Sequence, residues 1–561
     1  MCGWKCLFSV VLILYSASLF AAVPPLIDEV PENARAWSRF ESWVGEALSG
    51  RVPYGFRARD AALASRLAEN KRYCQLAVSM VEKQVGKAEK AIELGERPKI
   101  SGDSYLHAGP MLSDLAVTLD WCGKHLSSDQ KSRWSAYAEQ TLENIWNPAE
   151  ASWGGKSHPW SGWSVNNPGN NYYYSFLEAT EYWALASDSV RWIELLKKEK
   201  WPQVASYFMD YHGGGSREGT AYGLSHGRLF EIYRTWLRAG QKPLPALDRL
   251  AKDSIEYWVH ATVPTMDMVA AIGDQARVSM PVIYDYHRRL MLLARTLVPE
   301  GPETRHGAWW LRQINLREMS HGPDFRYDLL PVGKGEKPVR LWYYSPGAGH
   351  LFARSGWERE ALWLSVVSGI YDEDHAHQEQ GAFALYQGGW LAVTENVFTH
   401  SGIQQGTDVH NIMRFDLAGS TIPQSHSVNS VRVEEKDGVL LIAADLSAAY
   451  EKVVPVSSWH RLLEFGRGRV EISDQFIVND GAKAVWQINV PEEPHRKGKD
   501  IIAGDLCIRP VEPASPDISV LRWSDVQRKH ETFRNGWKVE LSGASGRYHV
   551  RLMPDGCKPD S

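Results

Sequence analysis

The apolar pattern of the sequence changes its period once, in the Gly- and Pro-rich stretch between residues 322 and 342. Before this stretch, apolar residues recur at helical spacing, as at Leu112, Leu115 and Leu119. After it, short apolar or alternating segments such as ALWLSVVSGI and GRVEISDQFIVND are bounded by Gly, Asn or Asp, which is typical of strands. This pattern restricts the chain to a helical unit followed by a β unit.

The length of the chain, 561 residues, exceeds what one compact core holds and predicts several domains. Amphipathic helices joined by short loops indicate a helical array or toroid, and closely spaced strands indicate an all-β sandwich. We therefore expect an α+β multidomain protein. Its predicted parts are a signal peptide at 1–22, a helical toroid domain at 23–325, a linker at 326–341 and a β-sandwich domain at 342–561.

The first residues have the pattern of a secretory signal peptide. Lys5 precedes an apolar run that ends near Leu19, and small residues follow. This run is too short to favour a stable membrane anchor, and no other apolar run of the sequence is long enough to span a bilayer. We expect cleavage near Ala21 or Ala22 and a periplasmic or secreted protein.

Four cysteines follow the predicted signal peptide, and they fall into an early and a late pair. Cys74 and Cys122 lie in the helical part, whereas Cys507 and Cys557 lie in the β part. For an exported protein the simplest prediction is one disulfide in each domain. The alternative is four reduced, buried thiols.

The composition narrows the class of ligand. The formal net charge of −5 argues against a general nucleic-acid binder, which carries a basic surplus. The 24 Trp and 23 Tyr residues fit two alternatives equally well, a large aromatic core or exposed rings that stack on sugars.

A first polar cluster occurs in SVNNPGNNYYYSFLEATEYWALA, where Asn170 and Asn171 precede a predicted helix. Asparagine at a helix start is typical of a cap. Neutral amides also hydrogen-bond a substrate carboxylate without supplying a full countercharge. Both interpretations stay open for this pair.

A second cluster occurs in DYHGGGSREGTAYGLSHGRL, where Arg217, Glu218, Tyr222 and His226 follow three glycines. The glycines allow a sharp turn and leave room for a ligand. Tyr222 and His226 are four residues apart and would share a face if the turn is helical. The alternative is a polar helix entrance with no role in binding.

The third cluster is DEDHAHQEQGAFALYQGGWLAV, in which His375 and His377 point the same way if they lie on a strand. Two such imidazoles bind zinc or a similar ion when further ligands join them, and Glu395 and His410 are the candidates. The pattern H-x-H is weak alone. In the alternative, one histidine acts in catalysis or sugar contact and the other is structural.

Taken together, the three clusters resemble the heparinase II/III-like bacterial polysaccharide lyases, which have an (α/α) toroid followed by an antiparallel β-sandwich. GGGSREGTAYG looks like the family's Gly-rich loop and implies a catalytic tyrosine at Tyr222. HAHQEQGAFALYQGGWLAV looks like the family's H-x-H-x-[DE] strand entrance and implies a catalytic histidine at His375. VHNIMRF, which contains His410, is similar to a later strand of the family.

The sequence departs from the family at two points. Tyr172 follows Asn171 where many members have histidine. LAVTEN replaces the family's L-x-D-x-G, so Glu395 is a metal ligand by approximate alignment only. Members of the family differ in whether they bind a divalent metal, which here would lie near His377.

The resemblance implies cleavage of an anionic, uronate-containing polysaccharide by β-elimination. Asn171, with Asn170 and Arg217, would stabilise the charge that develops beside the substrate carboxylate. Tyr222 and His375 would act as base and acid. Glu218 and His226 are further candidates for substrate binding.

Three alternatives remain open from the sequence. A uronyl C5-epimerase shares the proton abstraction but returns the proton to C5. A glycan-binding or export protein with the same fold would have no activity. A glycoside hydrolase would need a pair of carboxylates, for which Asp372, Glu373 and Asp374 are the candidates.

Overall fold

The computed structural model describes residues 23–274, 281–316, 324–399, 404–451, 455–466, 468–479, 481–528 and 531–557. The predicted signal peptide, with its cleavage site, lies outside the described residues. None of the described helices is both long and apolar enough to cross a membrane.

The N-terminal half of the described chain is helical. Its helices are α1 (Ala34–Leu48), α2 (Ala58–Ala68), α3 (Lys71–Glu93), α4 (Ala108–Cys122), α5 (Ser128–Trp146), α6 (Asn171–Ala186), α7 (Val190–Leu195), α8 (Trp201–Tyr207), α9 (His226–Arg238), α10 (Pro245–Ala261), α11 (Asp285–Leu297) and α12 (Pro302–Gln313). A short hairpin of β1 (Ser152–Trp153) and β2 (Lys156–Ser157) interrupts the helical series.

The helices form two layers, as the prediction of a toroid requires. In the inner layer α2, α4, α6, α9 and α11 each pack on the next, while α3, α5, α10 and α12 pack outside them. The sequence explains this difference, because α6 buries every residue from Tyr173 to Leu185. By contrast, α3 buries a single stripe that runs from Tyr73 to Ala88.

Local signals set where several helices begin and end. α5 starts with a capping box, in which the backbone N–H of Gln130 donates to Ser127 Oγ and the Gln130 side chain accepts from the Ser127 N–H. α9 stops before Gly240, which has φ +75° and terminates the helix in the left-handed region.

The C-terminal half is built of strands, as predicted. They are β3 (Trp342–Ser345), β4 (His350–Arg354), β5 (Trp363–Val367), β6 (Ile370–Tyr371), β7 (Phe383–Tyr386), β8 (Trp390–Ala392), β9 (Met413–Leu417), β10 (Ser420–Thr421), β11 (Ser427–Val428), β12 (Ser430–Lys436), β13 (Val439–Asp445), β14 (Val456–Gly466), β15 (Arg469–Val478), β16 (Lys483–Val490), β17 (His495–Lys497), β18 (Asp500–Ala503), β19 (Leu506–Glu512), β20 (Asp517–Arg522), β21 (Gln527–Arg528), β22 (Glu531–Thr532), β23 (Trp537–Ser542) and β24 (Arg547–Met553). One short helix, α13 (Glu395–Thr399), lies among them.

Three antiparallel sheets share one core in this half. Their strand orders are β3-β4-β5-β7-β8, β10-β9-β16-β23-β20 and β12-β13-β14-β15-β24-β19-β18-β17. Leu364, Trp486 and Val470, one from each sheet, are fully buried in the same apolar cluster. The fold is therefore the predicted α+β one, a helical toroid followed by a β-sandwich.

The two halves are packed together through polar and apolar contacts. Tyr257 of α10 hydrogen-bonds His350 of β4 across 2.7 Å, and the Trp363 indole of β5 donates to the carbonyl of His260 across 3.0 Å. Within the segment predicted as linker, Arg326 and Tyr327 are buried in the helical half. The toroid and the sandwich thus form a continuous surface on which a site can span both.

Both predicted disulfides are present. Cys74 of α3 is bonded to Cys122 at the end of α4, and Cys507 of β19 is bonded to Cys557 near the C-terminus. Each bond lies within one domain and closes a loop, with sequence separations of 48 and 50 residues.

Candidate active site

A cavity of about 510 Å³ opens where the inner helices of the toroid begin. Its lining residues are Leu106, His107, Asn171, Ala221, Tyr222, Leu224, Ser225, Gly227, Arg228, Asp274, Tyr286, Arg289 and Leu293. They include residues from the first turn of α6, α9 and α11 and the residue that precedes α4. Because helix N-termini carry partial positive charge, four converging ends favour an anionic ligand.

The two asparagines of the first cluster have different places. The Asn170 side chain accepts from the backbone N–H of Tyr172 at 3.0 Å and caps α6, and it is only 7% exposed. Asn171, the first residue of α6, lines the cavity. The capping interpretation therefore holds for Asn170, whereas Asn171 is part of the cavity lining.

Tyr222 and His375 are in direct contact across the domain boundary. Tyr222 begins a 3-10 turn that ends at Ser225, and its ring stacks on the His375 imidazole with a centroid separation of 3.8 Å and an interplanar angle of 12°. The toroid and the sandwich thus place a phenol and an imidazole side by side at the edge of the cavity.

Asp274 binds both histidines of the sandwich motif. His375 Nδ1 lies 2.8 Å from one oxygen of Asp274, and His377 Nε2 lies 3.0 Å from the other. Burial opposes ionisation of Asp274, but the hydrogen bonds from the imidazoles outweigh it and hold the pKa of this carboxyl well below its usual value. Each imidazole therefore donates an N–H hydrogen bond to the carboxylate, which fixes Nδ1 of His375 as a protonated nitrogen.

Two glycines allow the segments of the site to cross. Gly219 and Gly273 pair as an isolated antiparallel bridge, with φ +93° and +60°. A Cβ at Gly273 would lie 2.6 Å from the carbonyl oxygen of Glu218 and 2.9 Å from that of His375. The backbone N–H of Asp274 also donates to the His375 carbonyl at 3.2 Å. Only glycine permits this close approach.

Glu218 is a buried carboxyl beside these groups. It is 4% exposed, and burial raises its pKa to about 7, although the nearby His375 acts in the opposite direction. No described residue hydrogen-bonds its Oε2 atom. Glu218 therefore contributes a group that titrates near neutral pH.

Two residues predicted to bind substrate have other partners. Arg217 forms an ion pair with Asp372 at 2.9 Å and donates to the carbonyl of Gly347 at 3.0 Å, so it joins the toroid to the sandwich. His226 is 3% exposed, and its ring packs near those of Tyr174 and Phe208. Burial lowers the pKa of His226 to about 4, so it is a neutral core residue.

The three predicted metal ligands do not converge. His377 is bound to Asp274, and Nδ1 of His410 faces Glu379 at 3.5 Å. In the described ranges their ligand atoms and that of Glu395 do not lie within 4.8 Å of one another. Two features favour a metal: the rings of His377 and His410 lie 5.2 Å apart, and each has a buried nitrogen without a described partner. The three ligand atoms nevertheless do not form a preformed site.

One other group of potential ligand atoms lies far along the chain in the sandwich. Asp500, Cys507 and Cys557 bring their ligand atoms within 4.8 Å. The two cysteines are joined in a disulfide, and Asp500 accepts two hydrogen bonds from Arg509, each at 2.7 Å. The cluster is therefore structural.

Several residues of the site were not predicted from the sequence. They are His107, Arg228, Asp274 and Arg289. Asp274 lies in the unremarkable segment AAIGDQARV, which carries no recognisable motif. Arg228 lies in the first turn of α9, where a cation opposes the helix dipole, and this mismatch was the one available signal.

The fold is similar to that of solved polysaccharide lyases. A crystal structure of heparinase III matches with 12% sequence identity and a TM-score of 0.59, over 89% of this chain and 76% of that one. Heparan sulfate lyase HepC from Pedobacter heparinus matches with 14% identity and a TM-score of 0.60, over 93% and 78%. Chondroitin AC lyase from Streptomyces coelicolor A3 matches with 11% identity and a TM-score of 0.52, over 92% and 75%.

The sequence itself matches no protein-family model and no curated protein. At identities this low the similarity concerns the fold and not the chemistry of individual residues. The chain therefore has the fold of a heparinase-like polysaccharide lyase.

Proposed function

We propose that this protein is a polysaccharide lyase that cleaves a uronate-containing anionic glycan by β-elimination. The observation that carries the proposal is the stacked pair of Tyr222 and His375, 3.8 Å apart, at the edge of a cavity that Asn171 also lines. The signal peptide predicted from the sequence and the two disulfides support a periplasmic or secreted location.

The first chemical task is to make the C5 proton of the uronate acidic. The Asn171 amide would hydrogen-bond the substrate carboxylate at the N-terminus of α6. There the helix dipole favours the negative charge that spreads from C5 to the carboxylate when the proton leaves. A neutral amide achieves this without holding the product as tightly as a full countercharge would.

Tyr222 and His375 would carry the two proton transfers. As the C5–H bond breaks, its electron pair forms the C4=C5 double bond, the C4–O4 bond breaks, and the leaving O4 receives a proton. Asp274 accepts a hydrogen bond from Nδ1 of His375, so Nε2 would be the nitrogen that exchanges a proton with the substrate. The relative configuration at C4 and C5 decides which of the two side chains is the base.

The decisive test is incubation of the purified protein with alginate, glucuronan, heparan and chondroitin-type chains. We expect ultraviolet absorbance from a C4–C5 unsaturated uronate with at least one of them. Tyr222→Phe and His375→Gln should each lower kcat by 100-fold or more, about the contribution of general acid–base catalysis. The matched controls are Tyr344→Phe and His495→Gln, which change the same residue types on strands of the sandwich. They should leave kcat unchanged.

Three outcomes would contradict the proposal. Saturated reducing-end products would indicate a hydrolase. Solvent deuterium at C5 without chain cleavage would indicate an epimerase. Binding without any turnover on the whole panel would indicate a glycan-binding protein.

A further inference from the structure

We propose that the toroid cavity contains a second anion subsite, formed by Arg228 and Arg289, for a sulfate or carboxylate on the sugar next to the uronate being cleaved. This inference rests on the proposed lyase function and names a property of its substrate. The subsite is separate from Asn171, Tyr222 and His375, which act on the reacting sugar.

The two arginines come from adjacent inner helices. Arg228 lies in the first turn of α9 and Arg289 early in α11, and these helices pack against each other. Both side chains line the same cavity as Asn171 and Tyr222. Its volume of about 510 Å³ is in the range that holds a drug-sized ligand, and this size suits two sugar rings.

Arg289 has no carboxylate partner within 4 Å among the described residues. Its guanidinium lies 4.9 Å from the ring centroid of Tyr327 and 5.7 Å from that of Tyr286. Its neighbour Arg288 differs, because Asp285 at 2.6 Å and Asp328 hold it in place. Of two successive arginines, one is therefore committed to the fold, whereas the other lines the cavity and its buried Nε has no hydrogen-bond partner among the described residues.

Arg228 is incompletely neutralised for a different reason. Its ion pair is with Glu178 at 3.4 Å, and the same carboxyl group also lies 3.5 Å from Arg59 and 3.9 Å from Arg57. Burial, together with the surrounding guanidinium groups, lowers the pKa of Arg228 despite Glu178. Glu178 is thus shared among three arginines, and the other two also pair with carboxylates of their own. Arg228 has no second carboxylate within 4 Å among the described residues, so an incoming anion would give it a further partner.

The setting of the two arginines adds to this argument. A cation at a helix N-terminus is opposed by the dipole, and Arg228 and Arg289 lie near two of the helix ends that converge on the cavity. An anion between them would interact favourably with the guanidinium groups and with both dipoles. Tyr286, 41% exposed at the rim, offers a ring on which the same sugar can stack.

The test compares three oligosaccharides that share the uronate but differ in the sugar beside it. One has a neutral neighbour, one has the same backbone with sulfated neighbours, and one is a homopolyuronate. Their Kd values are measured by calorimetry on Tyr222→Phe, with and without Arg289→Gln. We expect Arg289→Gln to weaken binding about 10- to 100-fold for a ligand with a neighbouring anion and less than 3-fold for the neutral one.

The arms of the test identify the source of the anion. If Arg289→Gln weakens only the binding of the sulfated ligand, the subsite binds a sulfate. If it weakens only the binding of the homopolyuronate, the subsite binds a carboxylate. Arg289→Lys, which keeps the charge, should retain part of the affinity, as should Arg228→Lys, which also keeps a partner for Glu178. Arg72→Gln removes the same charge from the exposed side of α3 and should have no effect.

Equal loss on all three ligands would overturn the inference, because Arg289 would then serve the reacting sugar. The inference would also be overturned if Arg289→Gln weakened the binding of none of the ligands, or if none of the three ligands bound. Failure of the proposed function would give a different result, because the wild-type protein would then form no unsaturated product.

Discussion

At the scale of single residues, Glu218 is the group of the site whose charge changes near neutral pH. Burial raises its pKa to about 7 from an ordinary value of 4.5. Between these values the folded protein keeps a proton that the unfolded chain releases. The free energy of unfolding therefore falls as the pH rises through this window and is constant above it.

We predict that Glu218→Gln removes this pH dependence, because the amide stays neutral at every pH. The free energy of unfolding of the variant relative to the wild type should rise between pH 5 and pH 8, by up to about 3 kcal/mol. Denaturant unfolding at several pH values measures it. Glu96→Gln, at an exposed loop position, is the control, and a difference that does not vary with pH would refute the prediction.

Local sequence motifs predicted some residues of the site. They missed the residues that only the folded chain brings close to these motifs. Asn171, Tyr222 and His375 belong to recognisable segments, and in the structure the first two line one cavity while His375 stacks on Tyr222. Asp274 comes from a segment with no motif, so its approach to His375 depends on the fold of the whole chain. His226 was expected beside Tyr222, but the 3-10 turn between them has a different period and directs His226 into the core.

At the scale of elements, the site depends on the crossing of three backbone segments at Gly219, Gly273 and His375. The spacing of apolar residues predicted the helices and strands that carry these segments, because this spacing depends only on neighbouring residues in the sequence. The crossing itself was not predictable, since the requirement for glycine arises from the distance between backbones. The short α13 among the strands was missed for a similar reason, as five residues give too little periodicity.

We predict that Gly273→Ala disrupts the site, because its Cβ would collide with two backbone carbonyl oxygens. The variant should lose activity at least 10-fold and about 1–3 kcal/mol of stability. Gly388→Ala is a matched control, since Gly388 has a similar φ of +65° but its Cβ would meet nothing within 4 Å. Equal effects of the two substitutions would mean that backbone strain alone, and not crowding, explains the result.

At the scale of the whole molecule, each domain has its own disulfide while the site is shared. The bond between Cys74 and Cys122 ties an outer helix to an inner one within the toroid. Arg217 with Asp372, and Asp274 with His375, join the toroid to the sandwich. The toroid thus supplies the cavity, and its junction with the sandwich brings Tyr222 and His375 into contact.

We predict that replacing Cys74 and Cys122 together by serine lowers the free energy of unfolding by about 2–4 kcal/mol, because a closed loop of 48 residues restricts the unfolded chain. Chemical denaturation with and without a reductant measures the effect. The reductant should affect the double variant less than the wild type. A wild-type protein whose stability does not respond to reduction would contradict the prediction.

The position of Asp274 also bears on how such a chain can change during evolution. The carboxylate that orients His375 and His377 belongs to the other domain. A sandwich transferred from a different protein of this fold would bring its histidines without this carboxylate, and a transferred toroid would bring Asp274 without the two histidines that it binds. The two domains are therefore not interchangeable modules, and substitutions at these three positions would have to be inherited together.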